Sequence, residues 1–150
     1  MEHLLIFTYG SLMRGLGNHL TMIRASGEFV KEDSIKGVRL HAYCSAFPGA
    51  TKGQAEDSIK GEVYRIPKSG LKNLDRLESE GYFYHRHYMT TESGDKVQVY
   101  LLKKEDVRGE HIQSGCWREY RKDFIDNERY QDLMEFMRNR QHLIRKRWSK

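Results

Sequence analysis

The hydrophobic pattern of this chain predicts short β-strands over the first hundred residues. An apolar run within residues 4–9 indicates a buried strand, which ends at a glycine-rich segment. Apolar and polar positions alternate in four later segments, as they do in half-buried strands. These segments are residues 37–43, 60–66, 84–91 and 97–102, the last two joined by a hairpin turn.

Helical spacing of apolar residues appears after the strand predicted at residues 60–66 and again near the end of the chain. Three leucines predict a helix over residues 70–80, with Ser69 as its N-cap and Gly81 past its end. Residues 18–24 are a shorter helix candidate, and residues 120–150 are helical in pattern. The apolar stripe of this last segment consists of Tyr130, Met134, Met137, Ile144 and Trp148.

The order of strands, helix, hairpin and helix predicts an α+β fold with mostly antiparallel pairing. Residues 46–53 are expected to form a loop, because Pro-Gly is a turn signal. A length of 150 residues fits one domain, and the 38% hydrophobic and 11% aromatic content argues against disorder. No apolar run approaches the roughly 20 residues of a membrane helix. Cys44 and Cys116, far apart, indicate reduced thiols in a cytoplasmic protein.

The formal charge of +5 is concentrated at one end of the chain. Of 26 Lys and Arg residues, six lie within residues 138–150, which hold no Asp or Glu. The remaining 20 cations nearly balance the 21 acidic residues, so residues 1–137 carry a net charge of −1. A basic tail suggests nucleic-acid contact, but Trp148 is the only aromatic residue among its cations and no nucleic-acid motif is present. A solvated helix end is the favoured interpretation of the tail.

The glycine-rich segment after the first strand is the first candidate site. It offers consecutive backbone N–H groups at a strand end, and such a nest can hold a carboxylate or a developing oxyanion. It is not a phosphate loop, because Gly15 is followed by leucine and glycine rather than Lys and Ser/Thr. Ser11 also lacks the flanking glycines of a hydrolase elbow. A plain glycine turn remains the alternative.

Glu78 is the second candidate, because it lies at the edge of the leucine stripe near the predicted helix end. Partial desolvation there raises the pKa of a carboxylate and suits it to proton transfer. Asp75 and Arg76 are expected on the outer face of the same helix. A solvated helix acid is the alternative interpretation of Glu78.

Five short motifs occur in a fixed order along the chain. They are Tyr-Gly-Ser-Leu at 9–12, Gly-Glu-Val-Tyr at 61–64, Leu-Asp-x-x-Glu at 74–78, Tyr-x-Arg at 84–86 and Ser-Gly-x-Trp at 114–117. Taken together and in this order, they resemble the γ-glutamylcyclotransferase-like family, with its AIG2-like and BtrG-like fold. The spacing is most similar to the short bacterial members and the γ-glutamylamine cyclotransferase branch. The resemblance covers residues 4–118.

The resemblance implies a small, partly closed, barrel-like mixed sheet with flanking helices. It divides the chain into a cyclotransferase-like domain, residues 1–118, and a helical extension packed on it, residues 119–150. It also implies an enzyme without metal or other cofactor. In the reaction of that family the α-amine of a γ-glutamyl amide attacks the γ-carbonyl, which forms 5-oxoproline and releases an amine.

The resemblance also implies roles for particular residues. Glu78 is expected to be the general acid and base, and Tyr100 to approach the substrate, with a core aromatic as the alternative for Tyr100. The glutamyl end is expected to be held by the loop of Tyr9, Gly10, Ser11 and Leu12. Asn18 is expected to brace this loop. Tyr84 and Arg86 are expected to lock the sheet, with lining of the cavity as the alternative.

Two further features have modest interpretations. His85 and His87 have a possible metal-ligand spacing, but no supporting ligand is near, so a sheet face is favoured. A small γ-glutamyl amide is the expected partner, while nucleic acid and membrane are not expected. Two alternatives stay open. One is a homodimer through the C-terminal helix, and the other is a non-catalytic binding protein of the same fold whose basic C-terminal tail contacts nucleic acid or an acidic partner.

Overall fold

A computed structural model describes residues 2–44, 47–78 and 83–125. The chain divides into two compact units, residues 1–117 and 118–150. The C-terminal stripe, the basic tail and Gly81 lie outside the described residues, so the predictions made for them stay predictions. The strands are β1 His3–Thr8, β2 Glu28–Lys36, β3 Val38–His41, β4 Gly49–Lys52, β5 Ser58–Pro67, β6 His85–Thr90 and β7 Lys96–Leu101; the helices are α1 His19–Arg24, α2 Leu71–Leu77 and α3 Trp117–Ile125.

A five-stranded sheet of order β2-β5-β1-β7-β6 forms the first unit. Strand β1 pairs antiparallel with β5 and parallel with β7, while β2 and β6 add antiparallel at the two edges. Strands β3 and β4 form a separate antiparallel pair. The sheet is therefore mixed and mostly antiparallel, which confirms the predicted α+β class.

The sheet is not closed into a barrel. Its edge strands β2 and β6 do not pair with each other in the described part of the chain. The turn between β6 and β7 instead approaches β2 through isolated bonds. The backbone N–H of Glu92 donates to the carbonyl of Ser34 at 2.8 Å, and Ser93 bonds to Lys31 and Asp33.

The core lies between the sheet and the helices α1 and α2. Ile6 and Tyr64 of the sheet are almost fully buried, as are Met22 of α1 and Leu74 of α2. Complete burial of a leucine stabilises the fold by about 2 kcal/mol. Leu74 therefore fixes α2 on the sheet and sets the position of the residues that follow it.

One strand was not predicted, and two local expectations are wrong, each for a physical reason. The sequence of β2 is mostly polar because β2 is an edge strand, and Ile35 is its one buried residue. Residues 49–52 are a strand and not a loop, since they pair with β3. Helix α2 begins after Gly70, and Ser69 lies in a preceding 3₁₀ turn without capping it.

None of the helices in the described ranges is long and apolar enough to cross a membrane.

Candidate active site

A cavity of about 270 Å³ opens in the first unit where the chain leaves β1. Its walls come from β1 and the loop after it, from the residues just before β4, from the end of α2 and from the residues leading into β6. Tyr100 of β7 completes it. The lining residues are Phe7, Thr8, Tyr9, Gly10, Ser11, Asn18, Phe47, Pro48, Leu77, Glu78, Phe83, Tyr84 and Tyr100.

The loop after β1 is held in shape by its own hydrogen bonds. The backbone N–H of Met13 donates to the Gly10 carbonyl at 3.1 Å. Asn18 donates to Ser11 twice, from its backbone N–H to the carbonyl at 2.9 Å and from Nδ2 to Oγ at 2.8 Å. These two bonds join Asn18 to the loop.

The loop leaves several backbone donors available. The N–H groups of Gly10, Ser11 and Leu12 make no hydrogen bond to any of the described residues. Gly10 and Ser11 line the cavity, whereas the Leu12 side chain is buried in the core. A Cβ on Gly10 would lie 3.0 Å from ring carbons of Pro48, so glycine allows this close approach. Consecutive free N–H groups are suited to bind a carboxylate or an oxyanion.

Glu78 lies directly after α2, and its side chain reaches the cavity. Its backbone N–H donates to the Leu74 carbonyl at 2.9 Å, and its carbonyl accepts from the Tyr84 N–H at 3.3 Å. Burial raises the pKa of the Glu78 carboxyl from 4.5 to about 7. Among the described residues no hydrogen bond or ion pair to this carboxylate is found. Such a group exchanges a proton readily near neutral pH.

Three tyrosines surround Glu78. Burial is the main cause that raises the pKa of Tyr9, Tyr84 and Tyr100, and the negative charge of Glu78 contributes in each case. Their hydroxyls are therefore protonated donors. Tyr9 donates to the Tyr100 carbonyl at 2.5 Å, and Tyr84 donates to the Pro48 carbonyl at 2.7 Å. These bonds fix the rings as walls of the cavity.

The hydroxyl of Tyr100 is bound by the protein itself. It donates to Asp75 Oδ1 at 2.6 Å, and Arg86 Nε lies 2.8 Å from the same oxygen. Arg86, which lies opposite Tyr100 in the β6–β7 pair, also donates to Gln98 of β7. Tyr100 contributes its ring to the cavity, while Arg86 is not among the lining residues.

The expectation that Asp75 faces outward is therefore wrong. Its side chain is 27% exposed and joins α2 to β6 and β7 through Arg86 and Tyr100. The prediction assumed that all three leucines point inward, but Leu77 is 39% exposed and lines the cavity instead. Arg76 is exposed, as expected.

The sequence reasoning missed an aromatic wall on one side of the cavity. The ring centroids of Tyr43 and Phe47 are 5.4 Å apart, and Phe83 packs edge-on to Tyr43 at 5.1 Å and to Tyr84 at 4.7 Å. Phe47 inside the expected loop, together with Tyr43 at the end of the preceding predicted strand, was the available signal. This wall gives the cavity an apolar side beside the polar loop.

Metal ligands do not cluster in the described ranges. No group of three or more His, Cys, Asp or Glu side chains there is arranged to hold a metal ion. His85 and His87 are partly buried on the edge strand β6. Cys44 and Cys116 are free thiols.

Comparison with known proteins gives a consistent result. Residues 6–119 match the family described as gamma-glutamyl cyclotransferase, AIG2-like. The gamma-glutamylcyclotransferase family protein YtfP of Escherichia coli is 33% identical over 112 residues, 75% of this chain and 94% of YtfP. The crystal structure of c4763, a uropathogenic E. coli-specific protein, superimposes with a TM-score of 0.70 at 27% identity, covering 80% of this chain and 96% of that one. An AIG2-like protein from mouse shares the fold, with a TM-score of 0.60 at 24% identity over 72% of this chain and 81% of its own.

Proposed function

Since the chain belongs to the gamma-glutamyl cyclotransferase, AIG2-like family, we propose that it cleaves γ-glutamyl amides by intramolecular cyclisation. The substrate's α-amino nitrogen attacks its own γ-carbonyl carbon. The bond from that carbon to the leaving nitrogen then breaks. The products are 5-oxoproline and a free amine, and no water is consumed.

Glu78 moves the proton in this proposal. The attacking nitrogen loses two protons, one from the α-ammonium before the attack and one after it, and the leaving nitrogen gains two and departs as an ammonium ion. A single carboxylate that takes each proton and passes it to the leaving nitrogen balances the reaction. The single observation that carries the proposal is the Glu78 carboxyl in the cavity, whose pKa burial raises to about 7.

The Tyr9–Leu12 loop orients the substrate. Its N–H groups hold the glutamyl carboxylate or the carbonyl oxygen that gains negative charge. The rings of Tyr9, Tyr84 and Tyr100 confine the glutamyl chain in a folded shape, and ring closure gains from such orientation. The polar groups of the loop take the glutamyl part of the substrate, and the aromatic wall takes the amine that is released. The cytoplasm is the proposed location, since Cys44 and Cys116 are free thiols.

The proposal is tested by incubating the protein with a set of γ-glutamyl amines and measuring 5-oxoproline. Wild-type protein should form it, and Glu78→Gln should lower kcat by about 10² to 10⁴. Glu56→Gln, which alters an exposed carboxylate, is the matched control and should retain full activity. Activity that survives Glu78→Gln would remove Glu78 from the mechanism. Wild-type protein that forms no 5-oxoproline from any γ-glutamyl amine would contradict the function itself.

A further inference from the structure

Glu62 is a buried carboxylate that the proposed chemistry does not use. It lies in β5, and the residue is 2% exposed. Its Oε1 accepts from the backbone N–H of Arg14 at 2.9 Å and from the Tyr64 hydroxyl at 2.8 Å. Its Oε2 accepts from Arg14 Nε at 3.1 Å. Burying a charge is costly, and a buried ion pair contributes little to stability over an apolar replacement. Its presence therefore calls for a reason other than stability.

The bonds of Glu62 hold both ends of the glycine-rich loop. Its backbone is the register partner of Thr8, the last residue of β1. Its side chain binds the backbone N–H of Arg14, six residues further along the chain. The segment between these two points contains Gly10, Ser11 and Leu12, whose N–H groups are the donors of the candidate site.

Arg14 is anchored on the strand side of this loop. Its guanidinium lies 3.7 Å from the centroid of the Phe29 ring and 3.4 Å from a carboxylate oxygen of Glu32. It is not among the residues that line the cavity. Arg14 thus neutralises Glu62 and is turned toward β2, so the pair fixes the loop without offering its charges to a substrate.

Gly61 allows β5 to approach closely enough for these bonds. A Cβ at this position would collide with the carbonyl oxygen of Thr8 and would lie 2.8 Å from the ring of Phe7. Gly61 and Glu62 therefore act together, since the glycine brings the strand to the end of β1 and the glutamate reaches across to Arg14.

We propose that Glu62 is a positioning residue that sets the conformation of residues 9–13, so that their backbone N–H groups can bind the glutamyl end of the substrate. The inference rests on the proposed function for the identity of the substrate. Glu62 acts through the loop and not by contact with the reacting atoms. The expected effect of losing it is weaker substrate binding at an otherwise folded site.

The test uses Glu62→Leu and Glu62→Gln with a control in the same strand. Leucine removes every side-chain acceptor but suits a buried position. Arg14 is 46% exposed and keeps Glu32 as a partner, so no buried charge is left unpaired and Glu62→Leu should fold. Glutamine keeps one acceptor oxygen. Ile59→Ala, at another buried position of β5, lowers stability without touching the loop. A variant that only destabilises the fold should resemble this control.

The first measurement is hydrogen exchange of the amides of Met13, Arg14 and Asn18, and it needs no activity. In Glu62→Leu these amides should exchange at least tenfold faster than in Ile59→Ala at matched stability. Glu62→Gln should be intermediate. Exchange equal to that of the control in both Glu62 variants would overturn the proposal. If Glu62→Leu does not fold, the same amides should exchange at least threefold faster in Glu62→Gln than in the control. An exchange rate equal to that of the control would then overturn the proposal.

The second measurement is steady-state kinetics with a γ-glutamyl amine that the wild-type protein cyclises. Glu62→Leu should raise KM about tenfold or more and leave the pH midpoint of kcat/KM unchanged, with partial recovery in Glu62→Gln. An unchanged KM in both would overturn the role. If wild-type protein is inactive on every γ-glutamyl amine, the proposed function fails while the exchange experiment still decides whether Glu62 positions the loop.

Discussion

Replacing Glu78 by glutamine should make the protein more stable at alkaline pH, although it should lower kcat of the proposed activity by about 10² to 10⁴. The wild-type carboxyl has a pKa of about 7 in the folded protein, against an ordinary value of 4.5. The unfolded chain releases this proton near pH 4.5, whereas the folded protein keeps it to about pH 7. The wild-type protein therefore loses stability as the pH rises through this window, and the loss is complete above it.

The structure sets the size of the effect. Each pKa unit corresponds to about 1.36 kcal/mol, so the ionised carboxylate lowers the free energy of unfolding by up to about 3.4 kcal/mol. The cavity admits solvent, which relieves part of this cost, and we expect about 2 kcal/mol. For a chain of this length that corresponds to about 4–8 °C in Tm. Glutamine is neutral at every pH and does not carry this penalty.

Urea unfolding at pH 4, 6 and 8.5 measures the difference directly. The free energy of unfolding of Glu78→Gln should equal that of wild type within about 0.5 kcal/mol at pH 4 and exceed it by about 2 kcal/mol at pH 8.5. Glu56→Gln, at an exposed position, should follow wild type at all three values.

Two results would refute the reasoning. A difference between Glu78→Gln and wild type that is the same at every pH would show that the carboxylate is not desolvated. A variant less stable than wild type at pH 8.5 would show that the ionised form is stabilised by the fold, contrary to its lack of partners among the described residues.

Two further predictions concern the same site. The kcat/KM of the wild-type protein should rise with pH through a midpoint near 7, because Glu78 must be ionised to accept the first proton; a flat profile from pH 5 to 8 would exclude it as the base. Asp75→Asn should lower the free energy of unfolding by about 1–3 kcal/mol in thermal or urea unfolding, because it weakens the bonds to Arg86 and to the Tyr100 hydroxyl. The control Glu56→Gln should not lower it. An unchanged free energy of unfolding in Asp75→Asn would show that these bonds do not hold α2.

The sequence was informative where one residue has one local partner. Asn18 and Ser11 are seven positions apart, and their hydrogen bonds follow from a glycine loop that turns back on itself. The position of Glu78 at the end of α2 followed from helical spacing. Both depend on short-range geometry that residue spacing expresses.

The sequence pattern did not predict contacts between segments that are far apart along the chain. Asp75 was expected to face solvent, yet it lies against Tyr100, 25 positions away, because α2 is short and packs on the sheet. Strand β2 carries mostly polar residues, and its identity depends on pairing with β5. Neither relation is expressed in the local pattern, since each depends on which strands become neighbours.

The parallel pairing of β1 with β7 explains why the candidate site lies where it does. Because β1 and β7 run in the same direction, with Phe7 opposite Val99, their carboxyl ends reach the same edge. Tyr9 follows the end of β1 there, and its hydroxyl meets the carbonyl of Tyr100 near the end of β7. An antiparallel β7 would have brought its other end, at Lys96, to this edge. Hydrophobic alternation in the sequence does not specify this parallel pairing. The pairing brings the loop after β1 next to Tyr100, which faces α2, and so also brings the loop next to Glu78.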